Sequence, residues 1–191
     1  MNPLIVISGP AGVGKTTVAK ALLKTFPQLR SSVTFTTRKP RQNSTEDKKM
    51  YYVNEDEFKQ KSKNNEFLEW AMVHGDYYGT DEKETTATLQ KNPVIFNIDV
   101  QGAEQLMNKF PDQCTTIFLL PESHEQLVDH IKNRGEMSEG DFRARLKSAE
   151  KELAKKDIFM HQIINAEGKL TETINKIAEL IKPKLETVDK N

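Results

Sequence analysis

The sequence predicts an α/β fold in which a parallel sheet is flanked by helices, and three observations predict it. Short apolar runs alternate with stretches whose apolar residues recur at helical spacing. The glycine-rich run Gly9-Pro10-Ala11-Gly12-Val13-Gly14-Lys15-Thr16 joins the first apolar run to the first helical stretch. From 33 to 80 this rhythm breaks into short β-like pieces, which reads as an insert between the first helix and the next core strand.

The elements follow in chain order. Leu4-Ile5-Val6-Ile7 form a continuous apolar run, as a strand buried on both faces should, and the strand signal covers 4–8. Val18, Ala19, Ala21, Leu22 and Leu23 give 14–26 a helical pattern. Within the insert, 33–37, 51–53 and 67–73 are β-like. Asn54 followed by Glu55, Asp56 and Glu57 caps a short helix over 55–61. Helical patterns return at 81–90, 101–109, 123–133, 139–155 and 170–180, and strand signals at 94–98, 116–120 and 162–165. Ser123 with Gln126 resembles a capping box, and Gly135 is a candidate helix stop. The polar stretch 41–49 reads as an exposed loop.

The glycine-rich run fits G-x-x-x-x-G-K-[ST] at every fixed position, between a strand and a helix start. That context makes an anion site. Backbone N–H groups close around phosphate oxygens, and the helix dipole adds positive character. Lys15 reaches the β- and γ-phosphates, and the Thr16 hydroxyl suits Mg²⁺. The core is therefore expected to be a P-loop NTPase core, with Gly9, Pro10, Ala11, Gly12, Val13, Gly14, Lys15, Thr16 and Thr17 around ATP.

Bulk properties narrow the function classes. The chain has 191 residues with 28 basic and 28 acidic side chains, so no net charge supports nucleic-acid binding. The single cysteine, Cys114, rules out an intrachain disulfide and reads as a packed core thiol. The first residues lack a basic leader, and no apolar stretch is long enough for a membrane span. The expectation is a cytoplasmic protein of one domain, with no membrane partner.

Further polar groups punctuate the insert and the strand signal after it. Thr34-Phe35-Thr36-Thr37-Arg38-Lys39-Pro40-Arg41 carries two guanidinium groups suited to bidentate phosphate contacts, although such a run is also compatible with a solvated basic loop. Phe67-Leu68-Glu69-Trp70 could be ordinary core with a surface acid. The run 94–99 ends in Asp99, where a metal-side carboxylate is expected.

Taken together these segments resemble the guanylate kinase family over nearly the whole chain. The resemblance rests on the P-loop, the T-T-R-x-P-R run, the segment from Phe67 to Thr80, Ile98-Asp99-Val100-Gln101-Gly102-Ala103, Arg134-Gly135, Arg145-Leu146 and the late strand ending in Asn165. It implies ATP:GMP phosphotransfer with Mg²⁺. Arg38, Arg41 and Tyr78 match positions that hold the GMP phosphate. Thr34, Glu69, Thr80 and Asp99 match positions that read guanine. Arg134 and Arg145 match lid arginines, and Asn165 a position near adenine. Lys15, Arg38, Arg134 and Arg145 are then the catalytic set, and Thr16 with Asp99 or Asn97, directly or through water, is the metal side. An ionised Glu69 only accepts hydrogen bonds, which suits the adjacent N–H and amino donors of guanine. The implied organisation is a core of 1–33, 81–125 and 150–191, a GMP-binding lobe of 34–80 and a lid of 126–149.

The chain also departs from the family pattern. Lys49-Met50 stands where an Asp-Tyr pair is usual, Asn43-Ser44 where Gly-Glu is usual, and Asn97 where a carboxylate is usual. Tyr51 or Tyr52 could compensate for Met50, but a one-residue slip turns a side chain to the other face. His130 stands where a further arginine is usual and reads as an exposed helix residue. Two rivals to a guanylate kinase are a same-fold nucleotide kinase with another acceptor and a non-catalytic interaction module. The intact Gly9, Gly14, Lys15 and Thr16 disfavour the module.

Overall fold

The computed structural model describes residues 2–40, 50–133 and 137–186. Two sheets organise the chain. The larger has five parallel strands in the order β2-β7-β1-β8-β9, with β1 Leu4–Ser8, β2 Arg30–Ser31, β7 Val94–Asn97, β8 Cys114–Leu120 and β9 His161–Ile164. β1 lies at the centre with all five residues buried, which is why Leu4 to Ile7 read as an unbroken apolar run. Its two faces feed two cores. Ile5 and Ile7 join Val18, Leu22, Ile177 and Ile181, beneath α1 Lys15–Thr25 and α7 Leu170–Glu186. Leu4 and Val6 join Phe96, Val100, Leu106 and Phe118, beneath α4 Val100–Lys109. Cys114 is buried in this second core, and burial pushes its thiol up to about 12.

The smaller sheet, in the order β4-β3-β6-β5, is built from the segment that broke the rhythm. Its strands are β3 Thr34–Thr36, β4 Met50–Tyr52, β5 Phe67–Val73 and β6 Asp76–Asp81. β5 and β6 form a hairpin whose two-residue turn is His74-Gly75, with φ of 52° and 88°. Positive φ at both turn residues gives the mirror-image turn that matches strand twist. β6 has no counterpart in the sequence reading, because His-Gly is a weaker turn signal than Asn-Gly.

Strand alternation sorts this sheet into two chemically different faces. Phe35, Tyr51, Phe58, Phe67, Tyr77 and Trp70 form a chain of ring contacts on one face, with Phe58 supplied by α2 Glu55–Lys63. The other face carries Met50, Thr34, Thr80 and Glu69 in one row, and Tyr52, Thr36, Tyr78 and Ala71 in the next. A bulge between Phe67 and Glu69 makes this possible. Without the extra residue, Phe67 and Glu69 would share a face. With it, Phe67 enters the aromatic core and Glu69 turns to the other side.

Helix α4 joins the small sheet, and the helix that follows it, to the core. β5 is an edge strand, and α4 covers its edge. The Gln105 amide accepts from the Trp70 N–H at 3.2 Å and donates to the Trp70 carbonyl at 2.8 Å. Lys109 pairs with Glu82, at the start of α3 Glu82–Leu89, at 2.7 Å. A small third core holds α5 His124–Lys132 against α6 Glu139–Leu153 through Leu127, Ile131 and Ala149. Helix α7 runs past the expected end at 180 and through Pro183, because Ile181 and Leu185 remain buried in the first core. No helix among the described residues is long and apolar enough to cross a membrane.

Candidate functional site

The glycine-rich run leaves β1 and delivers Lys15 and Thr16 at the start of α1. Gly14 is the helix N-cap with φ 92°, a left-handed conformation that side chains rarely adopt. A Cβ there would also meet the Asn165 amide. Four carbonyls of this turn meet side chains. Lys15 Nζ donates to Gly9 O at 2.5 Å and to Pro10 O at 3.0 Å. Asn165 Nδ2 donates to Val13 O at 2.8 Å. His130 Nδ1 lies 3.0 Å from Gly12 O. His130 is half-buried against the turn, which corrects its reading as an exposed helix residue. Asn165 is itself held at the main chain, where its N–H bonds Leu120 O and its carbonyl accepts from Gln126.

Across from this turn lies the polar face of the small sheet, and the two border one pocket. Its walls include Lys15, Thr16, Thr34, Arg38, Met50, Glu69, Tyr78, Asn97, Asp99 and Arg145. Sequence reasoning therefore picked residues that fold into one cleft from six separate parts of the chain. It missed Ala71, Val73, His74 and Asp76 on the hairpin, and Glu152, two helical turns beyond Arg145. Alternation along β5 and β6 would have found the hairpin residues, had β6 been recognised. Arg41 and Arg134 lie outside the described residues.

Glu69 is the most unusual group in the cleft. It is only 4% exposed. Thr80 donates to its Oε1 at 2.6 Å, and Thr80 is itself fully buried. Burial, with a smaller contribution from nearby Asp99, raises the Glu69 carboxyl to about 7, while the Thr80 bonds pull the other way. Oε2 packs against the backbone at Gly102, where any Cβ would overlap it. Gly102 is thus needed for this carboxylate to sit where it does. The surface-acid alternative for Glu69 is excluded.

Asp99 is the N-cap of α4. Its Oδ1 accepts from the Gly102 N–H and its Oδ2 from Gln101 Nε2, both at 3.0 Å. Asn97, at the end of β7, donates from Nδ2 to Thr16 Oγ1 at 3.0 Å. Of the two groups considered for the metal side, Asn97 therefore touches Thr16, and Asp99 is engaged by its own helix. Among the described residues no cluster of three or more His, Cys, Asp or Glu side chains is arranged to hold a metal.

Around Arg38, the parallel register of β3 and β4 decides which tyrosine faces the cleft. Met50 pairs with Thr34, and Tyr52 with Thr36, so both share the polar face. Tyr51 pairs with Phe35 and stacks on it with ring centroids 4.7 Å apart, on the aromatic face. The Tyr52 hydroxyl reaches to 3.9 Å from Met50 Sδ, and the Arg38 guanidinium lies 5.9 Å from the Tyr52 ring centre. Arg38 Nη2 is 4.0 Å from the same sulfur.

A strand-to-helix phosphate turn facing a sheet with a buried carboxylate is a specific combination, and comparison with known proteins agrees with it. The family model described as guanylate kinase matches residues 1–184. A guanylate kinase from Caldanaerobacter subterraneus is 39% identical over 98% of this chain and 90% of its own length. One from Prochlorococcus marinus is 38% identical over 95% and 98%. Among solved structures, guanylate kinase from Anaplasma phagocytophilum superposes with a TM-score of 0.78 at 29% identity, covering 96% of this chain and 86% of that one. With its fold, its phosphate turn and its sequence in agreement, the chain belongs to the guanylate kinase family.

Proposed function

We propose that the chain transfers the γ-phosphoryl group of ATP to GMP, giving ADP and GDP. The observation that carries this reading is the shared cleft. Lys15 and Thr16 border it from one side, and buried Glu69 with Thr34 and Tyr78 from the other. Phosphoryl transfer asks the protein for alignment and for stabilisation of charge, with little covalent chemistry. Lys15 leaves the Gly9 and Pro10 carbonyls to meet the ATP phosphates. Arg38 and Tyr78, with Arg41, hold the phosphate of GMP. Arg145 and Arg134 come down over the transferring group.

Glu69 accepts from the N–H and amino donors of guanine and repels the acceptor edge of adenine. Thr34 keeps a hydroxyl for the guanine carbonyl. Thr80 acts through Glu69, since its hydroxyl is committed there. Asp99 acts by capping α4 and so fixing Gly102 against Glu69. Asn165 serves the ATP side by holding the Val13 carbonyl.

Mg²⁺ fits the donors present. In phosphate sites this ion takes one or two protein oxygens and completes its shell with phosphate and water. Thr16 Oγ1 would be the protein ligand, and Asn97 would bond a water of the shell once its amide oxygen turns inward. Bound there, Mg²⁺ would neutralise charge on the β- and γ-phosphates. The residues 34–80 act as a GMP lobe and 126–149 as a lid over a core of 1–33, 81–125 and 150–191. Their closure excludes water, which would otherwise accept the phosphoryl group.

The test is conversion of GMP and ATP to GDP and ADP, followed by ³¹P spectra of the full chain. Appearance of GDP supports the reading. ATP binding without any phosphorylated nucleoside diphosphate product would favour an interaction module, and conversion of another monophosphate in preference to GMP would favour a shifted acceptor.

A further inference from the structure

The carbonyls of the phosphate turn hold an observation that the proposed reaction does not use. Val13 N–H closes the turn on Pro10 O at 3.2 Å, and the Gly12 and Val13 carbonyls must then find partners outside the turn. Gly12 O and Val13 O are consecutive, and each meets a side chain from a distant element. Asn165, just after β9, donates to Val13 O. His130, on the last turn of α5, meets Gly12 O through Nδ1 at 3.0 Å, across 118 residues of sequence. A carbonyl only accepts, so Nδ1 must carry the proton. The contact is also close in backbone terms. A Cβ added to Gly12 would lie 3.3 Å from His130 Cβ, which fixes how near α5 approaches the turn.

We propose that His130 is a positioning residue for the phosphate turn and, through it, for ATP. Nδ1–H holds the Gly12 carbonyl, and with it the peptide whose N–H, that of Val13, closes the turn on Pro10 O at 3.2 Å, so the bend that leads into the N–H groups at the start of α1 is fixed from outside. Because α5 packs on α6 through Leu127, Ile131 and Ala149, the same contact links the turn to the helix that carries Arg145. The imidazole itself does not touch the reacting atoms. This inference rests on the turn being the ATP site.

The test separates a positioning role from a merely structural one. His130→Ala removes the donor. His130→Asn puts an amide N–H near the former Nδ1 position, whereas His130→Gln puts its amide near the former Nε2. Folding of each variant is checked by thermal melting. Lost positioning should raise KM for ATP and the Kd of ADP measured by calorimetry by about three- to tenfold in His130→Ala, the range one net hydrogen bond supplies. KM for GMP should be unchanged. His130→Asn should restore most of the ATP affinity and His130→Gln little of it.

An unchanged ATP KM in a folded His130→Ala protein would overturn the inference. So would equal losses for ATP and GMP, or rescue by Gln and not by Asn. Lys15→Ala runs alongside as the control for the underlying assignment. If it keeps normal turnover, the ATP site lies elsewhere. If it loses turnover while His130→Ala behaves like the parent, only the positioning role falls.

Discussion

Replacing Glu69 by Gln should stabilise the empty protein in alkali and damage its choice of base. The two effects come from one burial. The carboxyl is 4% exposed and titrates near 7 instead of the ordinary 4.5. A folded-state value above the unfolded one means that the native state binds the proton more tightly. Its stabilising contribution is complete below pH 4.5 and is lost as pH rises through 7. The rise from 4.5 to about 7 corresponds to about 3 kcal/mol. Glutamine has the same shape, keeps an oxygen for the Thr80 hydroxyl and never ionises. At pH 8.5 the variant should therefore melt roughly 6–12 °C above the parent, using the melting response of a chain of this size. At pH 4.5 the two should melt together.

For function the sign reverses. Glutamine presents one acceptor and one donor to two guanine donors, a buried mismatch of about 1–3 kcal/mol. The ratio of kcat/KM for GMP over AMP should fall about five- to a hundredfold. In the parent, GMP affinity should also weaken below pH 7, and this dependence should vanish in Glu69→Gln. The assays are thermal melts and coupled ADP release across pH 4.5–8.5. If the melting difference does not change with pH, the carboxyl is not buried in the way described. If the ratio for GMP over AMP does not move, Glu69 does not read the base.

Five further outcomes rest on the same geometry. Lys15→Ala should lower kcat by about a hundredfold or more, because a fixed charge at the transferring group is worth several kcal/mol; the coupled assay checks it. Gly102→Ala should push Glu69 off its seat and raise KM for GMP with little change in KM for ATP. Met50→Tyr should lower KM for GMP, since a phenol donates to phosphate and a thioether does not. Tyr52→Phe should raise it if Tyr52 already supplies that donor from the same face, whereas Tyr51→Phe should leave it alone. Asn97→Asp should shift the Mg²⁺ concentration giving half-maximal rate, read by titration of the metal at fixed ATP.

Much of the fold was legible because the signals are local and strongly periodic. The apolar run of β1, the glycine spacing after it and the alternation of strands with helices need no tertiary information. Glu69 was found by its neighbours in sequence, but its burial was not, because that depends on a bulge and on Gly102 from another element. The tyrosines at 51 and 52 are equivalent in sequence. Only the pairing of β4 with β3 puts Tyr52 beside Arg38 and Tyr51 against Phe35. His130 was marked only by the arginine usual at its position, and its contact with the turn was not legible. A half-buried histidine on the last turn of a helix has the pattern of an exposed one, and its partner is a backbone carbonyl 118 residues away. Asn165 likewise spends its amide on the Val13 carbonyl, which no spacing rule anticipates.

The most direct test of the account is the specificity profile of the parent chain. Coupled ADP release with saturating MgATP is measured against GMP, AMP, CMP and UMP. The shared cleft, with Lys15 on one side and buried Glu69 on the other, predicts turnover with GMP and a kcat/KM for GMP well above that of the other three, because only guanine offers two adjacent donors to a carboxylate. Comparable values for AMP, or no release with any of the four, would contradict it.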